Sequence, residues 1–226
     1  PRYVNLASFS NNFNQYLRPI TQWRLDYYHN PKIKINKRFE ILHISNLKND
    51  HKNLKGILNV IKELSLQRTD FCLTIAGDGD IDGCKANAKR LNIPEGLIQF
   101  EGEKIQKEVA QLMNKSDFFL LFSNYETFSV VIAEALICGL PVITSKCGGL
   151  TEEITMENGI QVEMKNETEL FQKLDYLISN VSKYNRHKIA TEARKKYSLE
   201  VVGEQLLSIY QDILNQENKF HHKLIL

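Results

Sequence analysis

Two glutamates, Glu126 and Glu134, stand eight residues apart in the segment SNYETFSVVIAEALICGLPV. Glu134 is the only charged residue between Phe128 and Cys138. A carboxylate in so apolar a run must be paired, hydrogen-bonded or kept for a ligand, because a bare one is costly to bury. Serving as an acid and base pair for hydrolysis does not suit their spacing. Eight helical residues rise about 12 Å, beyond the roughly 5 to 9.5 Å that separates the carboxylates of glycoside hydrolases. The two acids therefore read as having different tasks. Between them the chain turns through Asn124, Tyr125, Glu126 and Thr127 and enters a helix near Ser129. The first N–H groups of that helix lack internal partners and form a positive end suited to a diphosphate.

Other loops offer groups of the same kind. The segment NLKNDHKN brings Lys52 and Asn53 to the start of a helix, where a lysine and free N–H groups meet phosphate; by itself the lysine also fits a solvated turn. Gly77, Asp78 and Gly79 form GDG, which permits close backbone approach to a ligand but also marks ordinary strand-ending turns. Glu101, Gly102, Glu103 and Lys104 make a turn whose backbone suits a flat base. In CGGLTE, Gly148 and Gly149 allow another close approach, and Cys147 reads as a small packing residue. His43 reads as a strand-core residue and His51 as a solvated one.

The elements that position these loops alternate along the chain. Short apolar runs at Phe39–Ser45, Phe71–Ala76, Leu97–Phe100, Phe118–Phe122, Val142–Ser145 and Gly159–Val162 read as strands buried on both faces. Helical periodicity occupies Leu54–Leu66, Gly83–Leu91, Ile105–Asn114 and Ser129–Cys138. This alternation predicts an α/β fold, a Rossmann-like doubly wound parallel sheet of about six strands flanked by helices. In such sheets ligands bind outside the carboxyl ends of the strands, where the loops above fall. Beyond Glu167 only helices are expected, the last from Leu199 with Val202, Leu206, Ile209, Tyr210 and Ile213 on one face. That face needs the sheet or another domain to cover it.

The chain of 226 residues suits one main domain. We read residues 1–38 as a linker or the remnant of a preceding domain, 39–198 as the Rossmann-like domain, and 199–226 as a C-terminal helix and tail. The first residue is proline rather than methionine, which suggests a fragment. The net charge of +2 supplies no general field for nucleic acid, so no nucleic-acid partner is expected. Four cysteines without a CxxC pair or a zinc-type histidine spacing predict no metal site and reduced thiols in a cytoplasmic protein. No apolar run reaches the length of a membrane-spanning helix.

Together these pieces resemble the nucleotide-sugar-binding half of retaining glycosyltransferases with the GT-B fold, family four, also called glycosyl transferases group 1. The carrying motif is Glu126, seven intervening residues and Glu134, with GLPV, CGGLTE, GDG and HKN in the family's order over residues 39 to about 214. The resemblance implies that Glu134 accepts hydrogen bonds from the donor ribose. It implies that Glu126, with backbone groups of Thr127, Phe128, Ser129 and Val130, holds the donor sugar and the β-phosphate. Lys52 would neutralise the leaving diphosphate, Gly77 and Gly79 would approach the donor, and Gly102, Glu103, Lys104 and Ile105 would border the base. Where the family has a glycine and an arginine, this chain has Ser45 and Asn46, with Lys48 as the replacement cation. Thr127 and Ser129 stand where glycines usually flank the loop phenylalanine.

By the same resemblance, the chain transfers sugar from a nucleoside diphosphate sugar to a saccharide or lipid-linked acceptor. It needs no metal or other cofactor, its acceptor is bound by an N-terminal domain outside this chain, and an isolated half is inactive. The location implied is cytoplasmic, with peripheral association at the inner face of the membrane if the acceptor is a lipid. The alternatives weighed are a nucleotide-sugar epimerase of the same architecture and a non-catalytic nucleotide-binding regulatory domain.

Overall fold

The computed structural model describes residues 38–47 and 50–223. The expected linker, apart from its last residue, and Lys48 lie outside the described residues. Six apolar runs become strands: β1 Phe39–Ile44, β2 Phe71–Ala76, β3 Ile98–Phe100, β4 Phe118–Leu121, β5 Val142–Ser145 and β6 Gly159–Val162. All pair in parallel in the order β3-β2-β1-β4-β5-β6. The order reverses between β1 and β4, which pair through Ile41 with Phe118 and Leu42 with Phe119. Diverging loops at such a reversal leave a crevice at the carboxyl edge.

The strands can be apolar on both faces because helices cover both. On one face Ile41, Leu73, Ile75, Phe118, Leu120 and Ile143 belong to a core shared with α1 (Leu54–Ser65) and α5 (Glu167–Asn180). On the other, Leu42, Phe119, Leu121 and Val142 meet α3 (Gln106–Lys115), α4 (Val130–Ile137) and α6 (Arg186–Tyr197). Neighbouring residues in a strand thus enter opposite cores, as the two-residue period of a strand requires. Each fully buried Leu, Ile or Phe contributes about 1.5–3 kcal/mol, so this double layer supplies the rigid frame for the loops.

Polar caps set the helix starts. Asn53 begins α1 in a left-handed conformation (φ 48°) and accepts the Gly56 N–H. Asp80 accepts the Gly83 N–H at 2.8 Å, so α2 runs Ile81–Arg90, starting two residues before the expected Gly83. Asn166 and Asn185 cap α5 and α6 in the same manner. Each cap answers one orphan N–H of its helix.

The last helix, α7, spans Leu199–Lys223. Val202, Leu206, Ile209, Tyr210 and Ile213 are all exposed, so the sheet is not what covers this face.

Candidate functional site

The site begins at the strand reversal. Beyond β1 the chain passes Ser45 and Asn46, makes a short helical turn at Asp50–Lys52 and reaches the Asn53 cap. Beyond β4, on the other side of the crevice, it passes Ser123 to Ser129 before α4. The two loops are tied together: the Asn124 N–H donates to the His51 carbonyl at 2.6 Å, and the His51 and Tyr125 rings stand 5.6 Å apart. These ties bring Lys52 to Glu126, with Nζ to Oε1 at 2.6 Å.

Glu126 is held from several sides. Its Oε1 also accepts the Ser123 hydroxyl at 2.5 Å, and its N–H donates to the Cys147 carbonyl at 3.2 Å. Burial pushes its carboxyl pKa up, but hydrogen bonds from Lys52 and Ser123, the Lys52 charge and the nearby Ser129 hydroxyl outweigh this, and the net shift is downward. Glu126 is therefore ionised. Beneath it, buried His43 places Nδ1 2.9 Å from the Leu120 carbonyl and Nε2 2.7 Å from the Ser45 hydroxyl. The carbonyl can only accept, so Nδ1 carries the proton and Nε2 accepts from Ser45. Desolvation by burial brings the His43 pKa down to about 4, which keeps the ring neutral beside Lys52.

The CGG turn explains its glycines. A methyl group on Gly149 (φ 53°) would lie 2.5 Å from the Thr127 carbonyl oxygen and 2.6 Å from the Phe128 Cα. One on Gly148 (φ 95°) would lie 2.7 Å from the Glu126 carbonyl oxygen. The turn thus backs the Glu126–Phe128 loop by direct backbone contact, and the Leu150 N–H donates to the Phe128 carbonyl at 3.2 Å. Cys147 is buried, desolvation raises its thiol pKa, and it lies 3.3 Å from the Ser145 hydroxyl, in accord with a packing role.

At the start of α4, Ser129 is left-handed (φ 62°) and only 8% exposed, and its hydroxyl has no hydrogen-bond partner among the described residues. An unanswered polar atom beside the free N–H groups of a helix suits an anionic or hydroxylated ligand. Thr127, Phe128 and Val130 around it are exposed. Glu134 lies one helical turn beyond Val130 and is half-buried, while Ile132, Ala133, Ala135 and Leu136 face the core. The charged residue thus takes the open side of an otherwise apolar helix.

The remaining expected residues flank this centre. A methyl group on Gly77 (φ 147°) would lie 1.7 Å from the Ser45 carbonyl oxygen, so the GDG turn packs directly on the loop after β1. The Asn46 amide reaches the Asp78 carboxylate at 3.0 Å, and Gly79 is exposed beside it. The Gly77 N–H donates to the Gly102 carbonyl at 3.1 Å, which joins the loop after β3 to the same rim. There Lys104 pairs with Glu101 at 2.9 Å, Glu103 is exposed, and the exposed Ile105 donates its N–H to Glu108. The structure therefore brings Lys52, Glu126 and the Thr127–Val130 segment into one centre, with Gly77, Gly79 and Gly102–Ile105 along its edge. Sequence reasoning missed Ser123 and Ser145 and, while placing His43 rightly in the strand core, missed its hydrogen bond with Ser45. Ser123 lies three residues before Glu126, the one local signal that could have found it. Among the described residues no three of His, Cys, Asp and Glu are grouped as metal ligands would be.

An open parallel sheet whose strand order reverses between β1 and β4 defines a Rossmann-like α/β unit of the kind found in GT-B glycosyltransferases. The chain belongs to the glycosyl transferases group 1 family, whose model matches residues 28–196. It is 28% identical over 206 residues to N-acetyl-alpha-D-glucosaminyl L-malate synthase of Bacillus anthracis, covering 88% of this chain and 51% of that protein. It is 24% identical over 162 residues to a Campylobacter jejuni N,N'-diacetylbacillosaminyl-diphospho-undecaprenol alpha-1,3-N-acetylgalactosaminyltransferase, covering 71% of this chain and 42% of that one. Among solved structures, sucrose-phosphate synthase from Thermosynechococcus elongatus superposes with a TM-score of 0.71 at 18% identity, over 81% of this chain and 47% of that one. The Anabaena protein HepE, solved with UDP and glucose, gives 0.69 at 22% identity over 78% and 49%. The chain spans about half the length of the first two relatives.

Proposed function

We propose that this chain is the donor-binding part of a retaining glycosyltransferase that moves a sugar from a nucleoside diphosphate sugar to a saccharide or lipid-linked acceptor. The observation that carries this reading is the convergence at the strand reversal of Lys52, Glu126 and the start of α4, where the buried Ser129 hydroxyl has no hydrogen-bond partner among the described residues. Lys52 and the N–H groups at the start of α4 meet the diphosphate. Breaking the bond between the sugar and the phosphate oxygen leaves negative charge there, and fixed donors that meet this charge lower the barrier. Glu126 accepts from donor-sugar hydroxyls, Glu134 from the ribose, and the Gly102–Ile105 turn borders the base. The same charges let the reaction proceed without a metal.

The acceptor is held by a further domain, and residues 39–198 act as the donor unit with 199–226 as helix and tail. The reacting groups meet only in a closed cleft, so this part alone binds donor without efficient transfer. HepE's complex with UDP and glucose supports a nucleotide-sugar donor, and the diphospho-undecaprenol in the Campylobacter enzyme's name supports a lipid-linked acceptor. A cytoplasmic protein, peripheral to the membrane when the acceptor is a lipid, fits this reading. No helix among the described residues is long and apolar enough to cross a membrane. Three lysines of α6 are engaged: Lys188 with Glu157, Lys195 with Glu192 and Lys196 with Glu153. Membrane contact would then come from the acceptor rather than from this helix.

Glu134→Gln tests the assignment. Losing a charged acceptor for the ribose hydroxyls should weaken nucleoside diphosphate binding by about 1–3 kcal/mol. Calorimetry with UDP, GDP and ADP reads this directly, and unchanged affinity removes the ribose assignment.

A further inference from the structure

The contact between Lys52 and Glu126 has a cost for any ligand that needs the lysine. The two side chains are only 20% and 6% exposed, and the bond is 2.6 Å. The carboxylate oxygen that holds Lys52 also takes the Ser123 hydroxyl. If Lys52 leaves for a phosphate, an ionised and largely buried Glu126 keeps, among the described residues, the Ser123 hydroxyl as its close side-chain hydrogen-bond partner, with the Ser129 hydroxyl nearby. Breaking such a pair from one side is costly, because the charge left behind is unpaired.

A nucleoside diphosphate answers only one half of this cost, by giving Lys52 a new anion. A nucleoside diphosphate sugar answers both, since its sugar hydroxyls donate to Glu126. We propose that Glu126 is a specificity-determining residue that latches Lys52 in the empty site and yields it in full only to a ligand carrying both a diphosphate and a hydroxylated sugar. The latch favours the intact donor over the spent nucleotide and so helps product leave. Ser123 is its positioning residue, because its hydroxyl is what remains on Glu126 when Lys52 moves. This rests on the donor-site reading above.

The test is calorimetry on the full chain with UDP, GDP and ADP and the corresponding glucose conjugates, carrying forward the base that binds. Glu126→Gln frees Lys52 and should tighten nucleoside diphosphate binding at least fivefold, with no matching gain for the nucleotide sugar. In a Lys52→Met background the same change should give no gain, as a pairwise coupling requires. Ser123→Ala should move the other way and weaken nucleoside diphosphate binding, and melting temperatures check that each variant is folded. General loosening of the site would move Glu126→Gln and Ser123→Ala in the same direction. If the parent binds a nucleoside diphosphate but Glu126→Gln leaves its affinity unchanged or lower, the latch is overturned while the donor site stands. Should Glu126→Gln not fold, Ser123→Ala decides: unchanged or tighter binding overturns the latch. If the parent binds none of the three diphosphates or their sugars, the donor site fails and the latch with it.

Discussion

Acidification from about pH 7.5 to about pH 5 should destabilise this protein through His43. Its ring is buried between the central strands, with both nitrogens hydrogen-bonded, and its pKa falls from 6.5 to about 4 on folding. The unfolded chain therefore binds a proton more readily than the folded one. Stability from this group is complete above the unfolded pKa, is lost as pH falls from about 6.5 to about 4, and changes no further below that. At about 1.4 kcal/mol per pKa unit, the whole effect is about 3 kcal/mol, of which about 2 kcal/mol is gone by roughly pH 5. Glu126, whose pKa is lowered from 4.5, loses its contribution as pH falls below that value, so measurements at about pH 5 and above read His43. Urea unfolding at about pH 7.5, 6 and 5 measures the slope, provided the denaturant dependence is constant. His43→Gln keeps a donor and an acceptor at the site but cannot titrate, so its stability should be flatter over this range. Equal slopes in the parent and His43→Gln would refute the reasoning.

Gly149→Ala should destabilise by roughly 2–5 kcal/mol, combining a left-handed alanine with overpacking against backbone. Gly96 has φ 85° with nothing within 4 Å of an added methyl, so Gly96→Ala isolates the conformational part, and a comparison of melting temperatures separates the two. Asn53→Ala should cost about 1–2 kcal/mol through the lost cap of α1 and weaken nucleotide binding by shifting Lys52, whereas Asn53→Gly should cost only a few tenths. Thermal unfolding checks both, and equal losses would show that the cap is not responsible.

The strands were legible because they are apolar on both faces. β2, β5 and β6 match the bounds read from sequence, as a covered parallel sheet leaves little freedom for polar residues. Ends blurred where a residue continues a strand's course past its last paired position. Phe122 follows β4 in the core, and half-buried Ser45 follows β1, its N–H donating to the Ala76 carbonyl and its hydroxyl meeting His43. Ser129 looked like the first helical residue, yet its left-handed backbone makes it the cap, and α4 starts at Val130. Glu126, Glu134 and Lys52 stood out in the sequence through their chemical type and motif order. The pairing of Lys52 with Glu126 did not, since it depends on two loops meeting across the strand reversal. The apolar stripe of α7 was legible from its period, but period does not say what lies opposite.

The strand reversal also governs how the protein comes to exist. β1 to β3 form one half of the sheet and β4 to β6 the other, and Lys52 and Glu126, one from each half, are 74 residues apart in sequence. Contacts between distant parts of a chain form slowly, because loop closure precedes their reward. Neither half alone can build the crevice. The centre exists only once the two halves have joined, and a ligand bound across it would hold the seam closed.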